Sequence, residues 1–269
     1  MLHILLNGLL LNNNYSGVQY SIEYFIDSLG QTHSTDHKFT VLVSENYAGR
    51  LRESENLVLK RVNFDATNRM KRIWFENFIL PGFFVKKGFD LYHSLAYTLP
   101  FFSRIPSIVT IHDLIALDFP ALCKSETVLY YGASIPRSLK RARKIIAVSH
   151  TVKADILQRF PGIPGHKVEV VYHGLHSRFT RVKDVDKLVH VKAKYDLPNR
   201  LFLFVGNIEP KKNLTNLIKA FIQLKTEQLI PQKLLIVGAK GWKYSKLMEF
   251  WEHTPLKNEI IFGGYVEEE

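Results

Sequence analysis

The chain has 269 residues, 46% of them hydrophobic, and its 36 Lys and Arg against 25 Asp and Glu give a formal net charge of +11. That length holds one large or two ordinary domains, the apolar content builds a full core, and the sparse Gly and Pro exclude a fibrous or disordered chain. The charge favours an acidic partner, whether nucleic acid, an anionic membrane surface or a phosphorylated ligand, while the single cysteine, Cys123, excludes an internal disulfide.

Taken in order, Leu2 to Leu6 reads as a first strand. MLHILLNGLLL lacks the basic flank and cleavage site of a secretory leader, and no apolar run reaches the roughly 18 residues of a membrane span, so a cytoplasmic chain is expected. A polar loop, NNNYSG, leads into a helix whose apolar stripe is Val18, Ile22, Phe25, Ile26 and Leu29. Gly17, between loop and helix, permits close backbone approach to a phosphate or sugar. No GxGxxG follows the strand, which argues against a dinucleotide-dependent oxidoreductase. Phe39 to Val43 and Leu57 to Val62 are further strands. RMKRIWFENFILPGFFVKKGFD has two readings: a helix packed on the sheet, or an interfacial surface whose aromatics and basic residues meet a membrane.

The middle of the chain repeats the β-then-α rhythm in DLYHS, SIVTIHDL, KIIAVSH and VEVVYHG. In a parallel sheet the ligand site lies beyond the carboxyl ends of the strands, so His93, His112 with Asp113, Ser149 and His173 are expected along one edge. His112 stands out because it directly follows IVTI and precedes Asp113. The basic run RSLKRARK has no interleaved aromatics and reads as a solvated helix face rather than a nucleic-acid site. After Gly174 a charged stretch reads as a linker, and a second α/β series begins.

That series opens on LFLFVGNIEPKKNLTNLIKAF. Leu201 to Val205 has the two-sided apolarity of a strand buried in a parallel sheet, and Gly206 lets the chain turn. Leu214, Leu217, Ile218 and Phe221 then repeat at helical spacing. Lys211 and Lys212 sit near the positive end of that helix, where an anion, typically a phosphate, would complete the site. KLLIVG, a helix around WKYSKLMEFW, and EIIFGGYV follow.

SGV, VTIHDL, IIAVS, VEVVYHG, FLFVGNIEPKKNL, KLLIVGAKGW and IIFGGYV, in this order, resemble glycosyltransferase family 4, retaining transferases of GT-B fold. The resemblance implies an α/β protein of two Rossmann-like parallel-sheet domains, the second incomplete: an acceptor-side domain at 1–175, a linker and connecting helix at 176–198, and the start of a nucleotide-sugar-binding domain at 199–269. It implies transfer of a hexose from a nucleotide-diphosphate sugar to a glycan or lipid-linked acceptor, with no metal and no cofactor beyond that co-substrate. Carried over, Lys211, Lys212 and Gly17 contact the donor diphosphate, and His112 faces the transferred sugar. Asp113, Ser149, His173, Gly206 and Asn207 line the cleft.

Three departures qualify the carry-over. The first loop reads GVQY where relatives commonly have GVGR, and Asn207 stands where many have arginine. Relatives also carry, beyond a strand like EIIFGGYV, two glutamates separated by seven residues; Glu259 and Glu267 have that spacing, but a strand intervenes and the match is rejected. The expectation is therefore an enzyme completed by a second chain, inactive alone, or else a binding remnant, with peripheral membrane contact as a further partner.

Overall fold

A computed structural model describes residues 1–11, 17–32, 36–103, 105–175 and 179–266, with the side chains of 85–87 outside it. The loop at 12–16 and Glu267 therefore lie outside the described residues. The chain divides into two compact units, Met1–His176 and Ser177–Glu269.

The first unit alternates β1 (Leu2–Asn7), α1 (Gly17–Gln31), β2 (His37–Val43), β3 (Leu57–Arg61), α2 (Arg69–Trp74), α3 (Leu80–Lys87), β4 (Leu91–Ser94), β5 (Ser107–Ile111), α4 (Ile115–Asp118), α5 (Ser125–Arg141), β6 (Lys144–Ala147), α6 (His150–Arg159) and β7 (Val168–Val170). The strands form one parallel sheet in the order β3-β2-β1-β4-β5-β6-β7. Successive side chains on a strand point to opposite faces, so the neighbours Leu5 and Leu6, both buried, belong to separate cores. Leu6 joins Ile22 and Ile26 of α1 with Val41 and Val43 of β2. Leu5 joins Val109, Ile111, Ile145 and the helices on the other side. Covering both faces is what an all-parallel sheet requires.

Segment 69–87 is helical, but not as one regular helix. A π-helical turn, Phe75–Ile79, separates α2 from α3. The sheet-packed reading holds for one side of it: Phe75 meets Phe64 with ring centres 5.1 Å apart, and Leu80 and Phe84 are buried. Its other side is exposed.

The second unit contains α7 (Val185–Lys194), β8 (Leu201–Val205), α8 (Leu214–Gln228), β9 (Lys233–Val237), α9 (Tyr244–Glu252) and β10 (Ile260–Gly264), with a parallel sheet in the order β10-β9-β8. Leu214, Ile218 and Phe221 of α8 and Leu247 of α9 pack on Leu234 and Ile236 of β9. The expectation that β8 is buried on both faces is corrected here. It is an edge strand, and both helices pack against the face that carries Leu234 and Ile236, leaving Leu203 58% and Val205 71% exposed.

Gly206 and Gly238 end β8 and β9 with φ of 154° and 155°, a region L-residues avoid. They also cross closely: a Cβ on Gly238 would lie 1.9 Å from the Gly206 carbonyl oxygen. Among the described residues no helix is long and apolar enough to cross a membrane.

Candidate functional site

In the first unit, β5 delivers His112 to its carboxyl end. Its Nε2 lies 2.8 Å from the Leu95 carbonyl oxygen, which only accepts, so Nε2 carries the hydrogen. In the neutral ring Nδ1 is then an acceptor, and it faces His173 Nε2 at 3.3 Å, with the two rings stacked at 5.2 Å. Burial first, then the neighbouring His173, lowers the His112 pKa, and burial lowers that of His173. The pair is neutral near pH 7. His112 is thus a fixed imidazole whose Nδ1 accepts a hydrogen bond at the sheet edge.

Asp113 is held from two sides. Tyr97 Oη donates to its Oδ2 at 3.0 Å, and the Ile115 amide donates to its Oδ1 at 3.1 Å. Tyr97 itself has φ of 62°, a strained backbone for a bulky side chain, at a cost of roughly 1–3 kcal/mol. Its ring lies 5.5 Å from His112 and 5.0 Å from Tyr131. Tyr97 carried no signal in the sequence beyond its type, because its role depends on a backbone angle and a contact across 16 residues.

Of the remaining first-unit residues, Ser149 caps α6, accepting from the Val152 amide at 3.1 Å, so its hydroxyl is in use. His93 does not join the cluster: it is buried, with Nε2 2.9 Å from Thr110 Oγ1, and burial pulls its pKa down to about 4. Gly17 starts α1, and a Cβ there would meet nothing within 4 Å. Packing does not demand glycine at this position.

The strand order reverses between β1 and β4, the point where α/β sheets open a crevice. A narrow pocket lies there, lined by Asn7, Arg69, Arg72, Glu76, Thr98 and Tyr130, among others. Asn7 Nδ2 donates to Glu76 Oε1 at 2.8 Å and to Tyr92 Oη at 2.9 Å, and burial raises the Glu76 pKa. None of these side chains carries a signal in the sequence, since their meeting depends on Asn7 and Tyr92, 85 positions apart, closing into adjacent strands.

In the second unit, Lys211 and Lys212 occupy a 3-10 turn, Pro210–Lys212, just before α8. Asn213, with φ of 54°, makes no side-chain cap; its carbonyl accepts from the Asn216 amide at 3.1 Å, so the amides the cap leaves to a ligand are those of Leu214 and Thr215. The two lysines differ. Lys211 Nζ is paired with Glu209 Oε1 at 3.2 Å, whereas the Lys212 stem runs beside Gly206, its Cε 3.9 Å from where a Cβ there would stand. Asn207 continues from Gly206, and its amide N would lie 3.3 Å from a Cβ on Gly238. The loop after β9 adds Lys240, over the Tyr244 ring at 5.0 Å, and Lys243, over the Trp242 ring at 4.4 Å. Glu259 is bonded to Lys225 at 2.7 Å, a structural pair.

The family model described as Glycosyltransferase Family 4 matches residues 15–178, and that of Glycosyl transferases group 1 matches residues 177–269. The chain is 26% identical over 181 residues to the O-antigen chain mannosyltransferase B of Escherichia coli, covering 66% of this chain and 46% of that protein. It is 26% identical over 253 residues to the O-antigen chain mannosyltransferase RfbU of Salmonella typhimurium, covering 91% of this chain and 64% of that protein. The chain thus spans between about half and two thirds of these relatives. Among solved structures, HepE of Anabaena in complex with UDP-glucose superposes with a TM-score of 0.62 at 13% identity, covering 99% of this chain and 70% of that one. WaaG, a glycosyltransferase involved in lipopolysaccharide biosynthesis, gives 0.63 at 13% identity, covering 98% and 69%. The fold shared with them is of the GT-B type, built on Rossmann-like parallel sheets.

Proposed function

The chain belongs to glycosyltransferase family 4, and from that premise we propose that it transfers a hexosyl group, mannosyl or glucosyl, from a nucleoside-diphosphate sugar to a glycan or lipid-linked acceptor in surface polysaccharide synthesis. The observation that carries this reading is His112, a neutral imidazole fixed through Nε2 to the Leu95 carbonyl with Nδ1 left to accept from a sugar hydroxyl. Its exchange partner in the free protein is His173.

The donor diphosphate goes to the open first turn of α8 and to Lys212, with Lys211 drawn partly away by Glu209. Gly17 admits close backbone approach, and Gly206 and Asn207 shape the turn beside Lys212. The sugar C1–O bond to phosphate breaks while a bond from C1 to the acceptor oxygen forms on the same face. The acceptor's proton passes to the departing phosphate oxygen, whose new charge the lysine stabilises. The acceptor approaches the β1/β4 pocket, whose volume of about 20 Å³ admits no more than a single hydroxyl beside Arg69, Arg72 and Glu76.

The test is a thermal-shift screen of nucleotide sugars followed by turnover with the one that stabilises most. Stabilisation by a nucleoside-diphosphate hexose, lost in Lys212→Ala, supports the reading; no stabilisation by any donor, alone or with a candidate partner chain, removes it.

A second reading is favoured by the bare face of the second sheet, where Leu203 and Val205 of β8 are exposed: a binding module whose uncovered sheet face is covered by a second polypeptide. Association with a partner in light scattering, without stabilisation of the resulting complex by any nucleotide sugar, supports the module over the transferase.

A further inference from the structure

The segment from α2 to α3 has two apolar sides, and only one is used by the core. Trp74 and Phe78, 57% and 63% exposed, point away from the side on which Phe75, Leu80 and Phe84 pack. A helix that served only the sheet would carry polar side chains there. Phe102, 61% exposed, arrives from the turn after β4 and brings its ring to 6.3 Å from Phe78, which in turn lies 6.5 Å from Trp74. Three large exposed aromatics from two chain segments thus form one patch, where scattered single residues would be unremarkable.

The basic run of α5 belongs to the same surface. Arg137 and Arg141 donate to the Phe101 carbonyl at 2.9 and 2.7 Å, Arg141 also donates to the Ser103 carbonyl, and the Arg137 guanidinium sits 4.9 Å from the centre of the Phe101 ring. They clamp the turn that presents Phe102. Carbonyl partners leave both charges uncompensated, and among the described residues no carboxylate is ion-paired with either. Lys71, exposed and one turn before Trp74, adds a third cation.

We propose that Trp74, Phe78 and Phe102, rimmed by Lys71, Arg137 and Arg141, form a docking face for an anionic lipid bilayer. Aromatic rings settle at the level of the headgroups, and cations beside them meet the anionic surface. Each cation contributes roughly fivefold to partitioning, about 100-fold for three, at low ionic strength. The core of a protein interface would be depleted in uncompensated lysine, which favours lipid over a protein occupant.

The experiment is co-sedimentation of the purified chain with phosphatidylcholine vesicles, with and without phosphatidylglycerol, at low and high salt. No nucleotide sugar is present, so the outcome is independent of the transferase reading. Binding to the anionic vesicles alone, released by salt, is expected. The triple variant Trp74→Ser, Phe78→Ser, Phe102→Ser should lose at least tenfold in partitioning with an unchanged thermal midpoint, and Lys71→Glu at least fivefold. As a readout that leaves the face intact, Trp242→Phe with Trp251→Phe isolates Trp74, whose fluorescence brominated lipid should quench. No binding at low salt, unquenched Trp74, or equal partitioning of the triple variant overturns the proposal. So does a triple variant that loses only self-association in light scattering, which would assign the face to a second copy.

Discussion

His112 and His173 stack with ring centres 5.2 Å apart, and Nδ1 of the first meets Nε2 of the second at 3.3 Å. In the free protein each imidazole satisfies the other, so a sugar hydroxyl that takes His112 Nδ1 must displace His173. His112→Ala should therefore lower kcat by about 10- to 100-fold, the value of one hydrogen bond strengthened in the transition state, with nucleotide affinity nearly unchanged. His173→Ala should change the apparent donor KM more than kcat. Steady-state kinetics beside nucleotide calorimetry read both, and equal losses in turnover and nucleotide affinity for His112→Ala would give that residue a structural role.

Lys211 and Lys212 should not be equivalent. The Glu209 carboxylate, 3.2 Å from Lys211 Nζ, offsets that charge, whereas Lys212 has no carboxylate paired with it among the described residues. Lys212→Ala is expected to weaken nucleoside-diphosphate binding by about tenfold or more at low salt, Lys211→Ala by only a few fold, and Glu209→Gln to strengthen it. Calorimetric titrations at two salt concentrations check the order. A larger loss for Lys211 would reverse the assignment.

His93 makes the first unit acid-sensitive. Burial holds its pKa near 4 in the folded state, against 6.5 for the free side chain. Above pH 6.5 neither state is protonated and the residue has no effect; as pH falls towards 4 the unfolded chain takes up a proton that the folded chain refuses. Stability should drop by about 3 kcal/mol across that window. Urea unfolding at pH 7 and pH 4.5 should show the loss, and His93→Gln should show less of it. A pH-independent midpoint would mean that the folded ring takes up its proton as readily as the unfolded one, and that burial does not hold its pKa down.

Two glycines should respond in opposite ways. Gly238→Ala drives a Cβ to within 1.9 Å of the Gly206 carbonyl oxygen and forces φ of 155° on an L-residue, so it should destabilise the second unit by several kcal/mol or prevent its folding. Gly17→Ala meets nothing within 4 Å, so thermal unfolding should be unchanged or slightly improved while donor affinity falls. Unaltered affinity in Gly17→Ala would remove that residue from the donor site.

The alternation of strands and helices was legible because each strand in both units carries its own apolar run, and so was the placement of His112 directly after one of them. β8 was not, because Leu203 and Val205 are as apolar in an edge strand with one bare face as in a central one; composition records apolarity and not what covers it. The pairing of Glu209 with Lys211, two residues apart, lay within reach of the sequence. Glu76, Tyr97 and Phe102 were beyond it. Each acquires its meaning from a residue distant in the chain: Asn7 for Glu76, Asp113 for Tyr97, and Phe78 for Phe102.

The position of β1 in the middle of its sheet bears on how the chain leaves the ribosome. Its first neighbour is close at hand, since His3 and the Thr40 it bonds are 37 residues apart. Its second is not: Asn7 and Tyr92, joined in the finished sheet, are separated by 85 residues. At about 5–20 residues per second, roughly 4–17 s pass between synthesis of the two. For that interval the β4-facing edge of β1 has no partner of its own chain and is open to pairing with other strands.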